Sequence, residues 1–404
     1  MRRILKVFMI TVGIVVLVAA SALVYVSSTQ SKIPACDIVW EDMPENVNPN
    51  LKWMGFWGSD YDWRKKDRPD EGEPEALESL LATNAVNIIF VCGWTPDNIK
   101  MSLDRCKENN IMVFLRWHLG FAGWNDPSGV ATYAEFLSDY DDIIYGFYID
   151  EPWWNQIPED EFKGKTKFIR DKYPEKELLV VMAVAEFSPI ASYVMANVAN
   201  FDPEGRFAKT VAPEGYYDYC TLLSFDFYCT LGTYDKQESL FKTLYDIFID
   251  DLVKLKKDDQ KLWFCAKGFW LSQDDPSFNT VLENFEEGLE PGDDIISILK
   301  HHYIYAQDPK YHDFEGICFY SWECGAPFVG NNDATWGIAL EAFMRQDMTF
   351  TEDMFSCCGK DYAGNFYRED VLKHFQQVNS KLIENNKHKP HYYVSKDELI
   401  PRKK

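Results

Sequence analysis

Eight short apolar runs, beginning near Lys52, Val86, Met112, Ile143, Leu178, Tyr219, Leu262 and Gly316, alternate with stretches of helical periodicity, and this alternation limits the fold more than any other feature. The helical stretches cover residues 75–81, 97–109, 158–172, 238–257, 293–306 and 368–384. At the third of these, Pro158 is followed by Glu159, Asp160 and Glu161, acids placed where a helix dipole favours them. Strands separated by helices run parallel through crossover connections. Eight of them, apolar throughout because both faces are covered, predict a closed (β/α)8 or TIM barrel. A doubly wound open sheet is the competing architecture, and no Gly-x-Gly-x-x-Gly turn follows the first strand to support it.

No repeat, low-complexity tract or Pro/Gly-rich linker divides the patterned region, so residues 51–386 read as one catalytic domain. A polar lead-in covers 29–50 and a charged tail 387–404. Residues 1–28 read as a targeting segment, with Arg2, Arg3 and Lys6 ahead of an apolar run over 7–26 that is long enough to span a bilayer. An uncleaved membrane anchor and a cleaved signal peptide, processed near Ala20-Ser21-Ala22, are the two forms it can take, and apolarity continuing to Val26 favours the anchor. Either form puts the domain outside the cytoplasm, membrane-anchored or secreted. Cys36 lies too far beyond the apolar run to suit lipid modification.

A formal net charge of -23 excludes nucleic acid and anionic membrane surfaces as partners, leaving membrane contact to the N-terminal segment alone. Cys92, Cys220, Cys265 and Cys318 fall in apolar runs and read as buried thiols. Cys36, Cys106, Cys229, Cys324 and the vicinal Cys357-Cys358 are the candidates for disulfide pairing outside the cytoplasm. No His/Cys/Asp cluster has ligand spacing, and the adjacent His301 and His302 cannot face one metal from a helix, so no metal or cofactor is called for.

Chemistry in such a barrel belongs at the C-terminal ends of the strands. Strand four ends in Tyr148-Ile149-Asp150-Glu151-Pro152-Trp153-Trp154, two adjacent carboxylates followed by a proline and two indoles. The other tips carry Trp57, Trp94, Arg116-Trp117-His118, Glu186, Asp226 and Tyr228, Lys267 and Trp270, and Trp322-Glu323. Each has an ordinary account, as a core-edge ring, a capped turn or a solvated acid. Their convergence on one rim is what glycosidic chemistry needs: a carboxyl kept protonated by burial and neighbouring charge, a second anionic group, and aromatic faces for sugar rings. Glu151 is the candidate acid, with Asp150 beside it and Asp226 the first choice for the second anionic group, ahead of Glu323 and Glu186. Trp57, Trp94, Trp117, Trp153, Trp270 and Trp322 would stack on substrate, and His118, Arg116, Tyr228 and Lys267 would bind hydroxyls.

The region from about Lys52 to Glu384 resembles the barrel glycoside hydrolases, in which a strand-four Asn-Glu-Pro supplies the acid/base glutamate and a strand-seven glutamate the nucleophile. Asp150-Glu151-Pro152 stands at the first place, and Ala266-Lys267-Gly268, without a glutamate, at the second. The adjacent Asp-Glu also looks like the pair of hexosaminidase-type barrels, which implies Asp150 as polariser of a substrate acetamido group and Glu151 as acid. Two functions follow as expectations: hydrolysis of O-glycosidic bonds in an oligo- or polysaccharide, or, given the missing strand-seven glutamate, a non-catalytic glycan-binding barrel at the cell surface. A barrel esterase or lyase finds no Gly-x-Ser-x-Gly elbow or metal set to support it.

Overall fold

The computed structural model describes residues 44–57, 76–83, 85–91, 96–117, 138–197, 210–226, 238–267, 291–320 and 369–386. Within them eight parallel strands close into a barrel in chain order, β1 (Trp53–Phe56), β2 (Ile88–Val91), β3 (Met112–Arg116), β4 (Ile144–Asp150), β5 (Glu177–Ala183), β6 (Leu222–Asp226), β7 (Lys261–Lys267) and β8 (Phe314–Tyr320). β8 pairs with β1 through Trp53–Gly316 to Phe56–Phe319, and this pairing completes the closure. The open-sheet alternative is thereby set aside. Helices α1 (Ala76–Thr83), α2 (Pro96–Glu108), α3 (Glu159–Lys172), α4 (Pro189–Asn197), α5 (Glu238–Leu255), α6 (Pro291–Gln307) and α7 (Glu369–Asn386) surround it.

Two packed layers account for the unbroken apolarity of the strands. Residues of one parity, among them Met54, Ile89, Leu115, Phe147, Val180 and Phe264, face the helices and merge with their buried sides. Those of the other parity fill the lumen with Trp53, Trp57, Phe90, Phe114, Tyr148 and Trp263. The lumen rings meet mostly tilted or edge-on, as with Phe114 over Trp263 at 5.3 Å between centroids, the arrangement that ring quadrupoles favour.

Two irregularities shape the base of the barrel. The register slips between Val113 and Phe114 opposite Tyr145, and between Leu262 and Trp263 opposite Glu315, so each of those residues is an extra one in its strand. They meet across the lumen, where the Tyr145 hydroxyl donates to Glu315 Oε2 at 2.8 Å. Glu315 Oε1 takes Lys52 Nζ at 2.5 Å and Lys261 Nζ at 2.8 Å. Glu315 is fully buried, and so, nearly, is Lys52. Burial alone would raise the Glu315 carboxyl, but the ammonium groups of Lys52 and Lys261 hold it below its usual range.

The end of the polar lead-in belongs to this base rather than to a linker. Asn48 is buried, and its Nδ2 donates to Ala306 O at 2.9 Å and Phe314 O at 3.1 Å. Asn87 Nδ2 donates to Lys52 O at 2.8 Å while its Oδ1 accepts from Met54 N at 2.9 Å, tying β1 to the entry of β2.

Periodicity does not predict α4, and Cys106 departs from its expected role. It lies buried in the outer core on α2 as a thiol, not half of a disulfide, and Cys220, Cys265 and Cys318 are likewise buried thiols. Among the described residues no helix is long and apolar enough to cross a membrane; the apolar run over 7–26 lies outside them.

Gly146 follows the Tyr145 irregularity, where β4 returns to register against Glu177 of β5. A Cβ built there would stand 2.2 Å from Glu177 O and 2.7 Å from Glu177 C, both backbone atoms. Gly146→Ala must therefore push β4 and β5 away from each other, and we expect a loss of about 2 to 3 kcal/mol in urea unfolding. An unchanged urea midpoint would mean that the strands separate there at no cost.

Candidate active site

The last inward residues of β3, β4 and β6 are Arg116, Asp150 and Asp226, set by the same parity that points Phe114, Tyr148 and Leu222 into the lumen. Arg116 Nη2 pairs with Asp150 Oδ2 at 3.2 Å, both about a quarter exposed. Burial pushes the Asp150 carboxyl up, and Arg116 offsets some of that rise.

One residue further on, the chain leaves the sheet. Glu151 N still donates to Val181 O at 2.7 Å, continuing the β5 ladder, but its φ is +43°. A side-chain-bearing residue in the left-handed region costs about 1 to 2 kcal/mol, and Pro152 narrows its options further. The turn that follows is closed by Asn155 N to Glu151 O at 3.0 Å and Ile157 N to Pro152 O at 3.0 Å, delivering the chain to α3. This backbone turns the Glu151 side chain into hydrogen-bonding contact with Asp226. Burial first, then the charges of Asp226, Asp150 and Glu186, push the Glu151 carboxyl well above its usual range. The Glu151 carboxyl therefore holds its proton to higher pH than a solvated glutamate does, and in its protonated form it donates to Asp226.

Glu186 lies behind this group rather than in the mouth. It ends a short 3-10 turn after β5 (Val184–Glu186), is 1% exposed, and its oxygens are occupied by protein donors. Trp153 N at 3.2 Å and Tyr217 OH at 2.5 Å donate to Oε2, and Ala183 N at 3.2 Å donates to Oε1. Burial raises its carboxyl to about 8 against the opposing pull of Tyr217 and the Ala183, Trp154 and Trp153 amides. Its expected direct contact with substrate does not fit that position.

The expected sugar-stacking rings divide. Trp57 caps the lumen filling, its ring 4.8 Å from Tyr148 and 5.4 Å from Phe90, and its buried Nε1 has no acceptor among the described residues. Trp117 points the other way, into the layer between barrel and helices, edge-on to Phe147 at 5.3 Å. It packs the core, because neighbours in a strand face opposite sides and Arg116 has the inward position. Trp153 packs against the outer core too, edge-on to Tyr216, with its indole N–H donated to Thr210 O at 2.7 Å. Lys267 ends β7, but its side chain is outside the described set, as are Trp94, His118, Tyr228, Trp270, Trp322 and Glu323 entirely. Tyr217, which holds Glu186, carries no sequence signal that separates it from the neighbouring Tyr216.

Beneath the acids, Asp226 lies in register with Cys265, and Cys265 with Cys318 on β8. The hydrogen bond that the Cys265 thiol donates to Cys318, then burial, holds that thiol well above its usual range, leaving it a neutral lumen group. Among the described residues no group of three or more His, Cys, Asp and Glu side chains is arranged to hold a metal ion.

No protein-family model matches the chain, and no curated protein matches it by sequence. Among solved structures it is similar to a glucosidase from Croceicoccus marinus, at 12% identity and a TM-score of 0.43 over 83% of this chain and 68% of that one. The intracellular xylanase of Thermoanaerobacterium saccharolyticum aligns at 12% identity and a TM-score of 0.42, over 69% of this chain and 89% of that one. A beta-glucosidase from Thermotoga maritima in complex with castanospermine aligns at 12% identity and 0.43, over 83% and 98%. So little shared sequence and such loose superposition assign no activity to this chain.

Proposed function

We propose that this chain is a glycoside hydrolase cleaving O-glycosidic bonds in an oligo- or polysaccharide, with Glu151 as general acid/base and Asp226 and Asp150 as its anionic partners. The observation that carries this reading is the place of Glu151 at the C-terminal end of β4, where burial and the neighbouring Asp226 and Asp150 push its carboxyl above the usual range. The proton of Glu151 passes to the glycosidic oxygen as the C–O bond breaks, and Asp226 steadies the positive charge that grows at the anomeric carbon. Glu151, now a carboxylate, takes a proton from the water whose oxygen bonds that carbon, and the acid is restored. Residues 1–28 would export or anchor the domain, so the glycan would be met outside the cytoplasm.

The test is release of new reducing ends from a panel of oligo- and polysaccharides. The wild-type protein should turn over at least one, and Asp226→Asn should lower kcat on it by about 100-fold. Saturable binding of a glycan with no release of reducing ends from any member would overturn hydrolysis in favour of the binding barrel, the reading that the absent strand-seven glutamate motivates.

A further inference from the structure

A left-handed backbone at a residue other than glycine persists only where the surroundings over-determine it. At Glu151 two attachments do so. On the N-terminal side its own amide is held by Val181 of β5 at 2.7 Å. On the C-terminal side the chain is held two residues later, where the Trp153 amide donates to Glu186 Oε2 at 3.2 Å, with the Trp154 amide also directed at that carboxyl.

Glu186 is itself fixed. Its other oxygen accepts from Ala183 N at 3.2 Å, the Tyr217 hydroxyl closes on Oε2 at 2.5 Å, and its carbonyl accepts from Ala212 N at 2.7 Å. One carboxyl therefore joins the turn after β4, the end of β5 and the approach to β6. At 1% exposure it has no surface left for a ligand.

We infer that Glu186 is the positioning residue of the proposed acid: by clamping the turn after β4 it holds Glu151 in its left-handed backbone and so against Asp226, without touching substrate. The inference rests on the reading of Glu151 as the acid. The titratable groups around Glu186 are Glu151 at the β4 tip and Tyr216 and Tyr217 ahead of β6. The charge of Glu186 is among the causes that raise Glu151, so loss of the clamp and loss of the charge lower the proton affinity of Glu151 together.

The experiment compares wild type, Glu186→Gln and Tyr217→Phe. Glutamine keeps the size but turns an NH2 group toward an amide that donates, so the turn should loosen. The expected result for Glu186→Gln is a fall in kcat of about 100-fold with KM changed less than about 3-fold, the signature of a misplaced rather than absent group. The alkaline limb of kcat/KM should move to lower pH. Tyr217→Phe removes a single donor and should move both quantities the same way by less, and it serves if Glu186→Gln does not fold. A residue that only supported the fold would lower stability and leave the pH profile in place.

Carboxyl 13C NMR titration of the same variants needs no substrate. The Glu151 resonance, assigned by its loss in Glu151→Gln, should titrate at lower pH in Glu186→Gln. An unchanged Glu151 titration in both variants would overturn the positioning role while leaving Glu151 as the acid. Full activity of Glu151→Gln would remove the acid and leave the NMR shift as the measure of the clamp. A rise in KM with kcat preserved would instead place Glu186 on the substrate and overturn the inference.

Discussion

Glu151→Gln is expected to lower kcat on a natural glycan by about 1,000-fold, within the range that general acid catalysis contributes. The amide has the size of the acid and still donates to Asp226, so the geometry of the β4 tip is kept while the transferable proton is lost. Stability should hold or rise, since an amide cannot ionise among Asp226, Asp150 and Glu186. The loss should shrink for an aryl glycoside whose leaving group departs without protonation, because the missing proton is then not needed. In wild type, kcat/KM should fall as pH rises through the raised value of Glu151, since the acid works only while protonated. Unaltered turnover of a natural glycan by the variant would sink the assignment.

The second large effect lies at the other end of the barrel. Glu315→Leu takes from the buried Lys52 ammonium and the Tyr145 hydroxyl the carboxylate that they share, and is expected to cost about 3 to 5 kcal/mol. Adding Lys52→Met should recover most of that loss, because the penalty belongs to the buried charge left behind rather than to the missing pair. Urea unfolding of the single and double variants measures both. The pH dependence has a definite sign. The folded Glu315 carboxyl lies below its ordinary 4.5, so its contribution is complete above that value and is lost as pH falls through the folded one. Wild type should therefore lose stability on acidification in a way that Glu315→Leu does not. Equal stability of Glu315→Leu and wild type would mean that the ion cluster does not hold the base together.

Much of this is legible in the sequence because burial on both faces writes a strand as an unbroken apolar run. All eight strands can be read that way, from Trp53–Phe56 to Phe314–Tyr320. Asp150 and Asp226 are legible for the converse reason, as acids ending apolar segments. α4 is not, because Pro189-Ile-Ala-Ser-Tyr-Val-Met-Ala-Asn197 has little contrast between its faces, and a helix without a polar side leaves no stripe to read.

Trp117 defies its expected role although the signal is present. In a strand, Arg116 and Trp117 cannot both face inward, and the parity from Phe114 selects Arg116. The Tyr145 and Glu315 irregularities have no local signature, since an extra residue in a strand is defined by its partner across the sheet. The role of Glu186 is equally hidden, because its donors come from Trp153, Ala183 and Tyr217, which only the fold assembles.

The packed rings and the ion cluster below them also fix the direction of traffic. With Trp53, Phe114 and Trp263 packed in the interior and Glu315 bound to Lys52 beneath, nothing can be threaded through the cylinder. Among the described residues the path downward from Glu151 is blocked, so anything held against it would have to come and go on the side where the strands end.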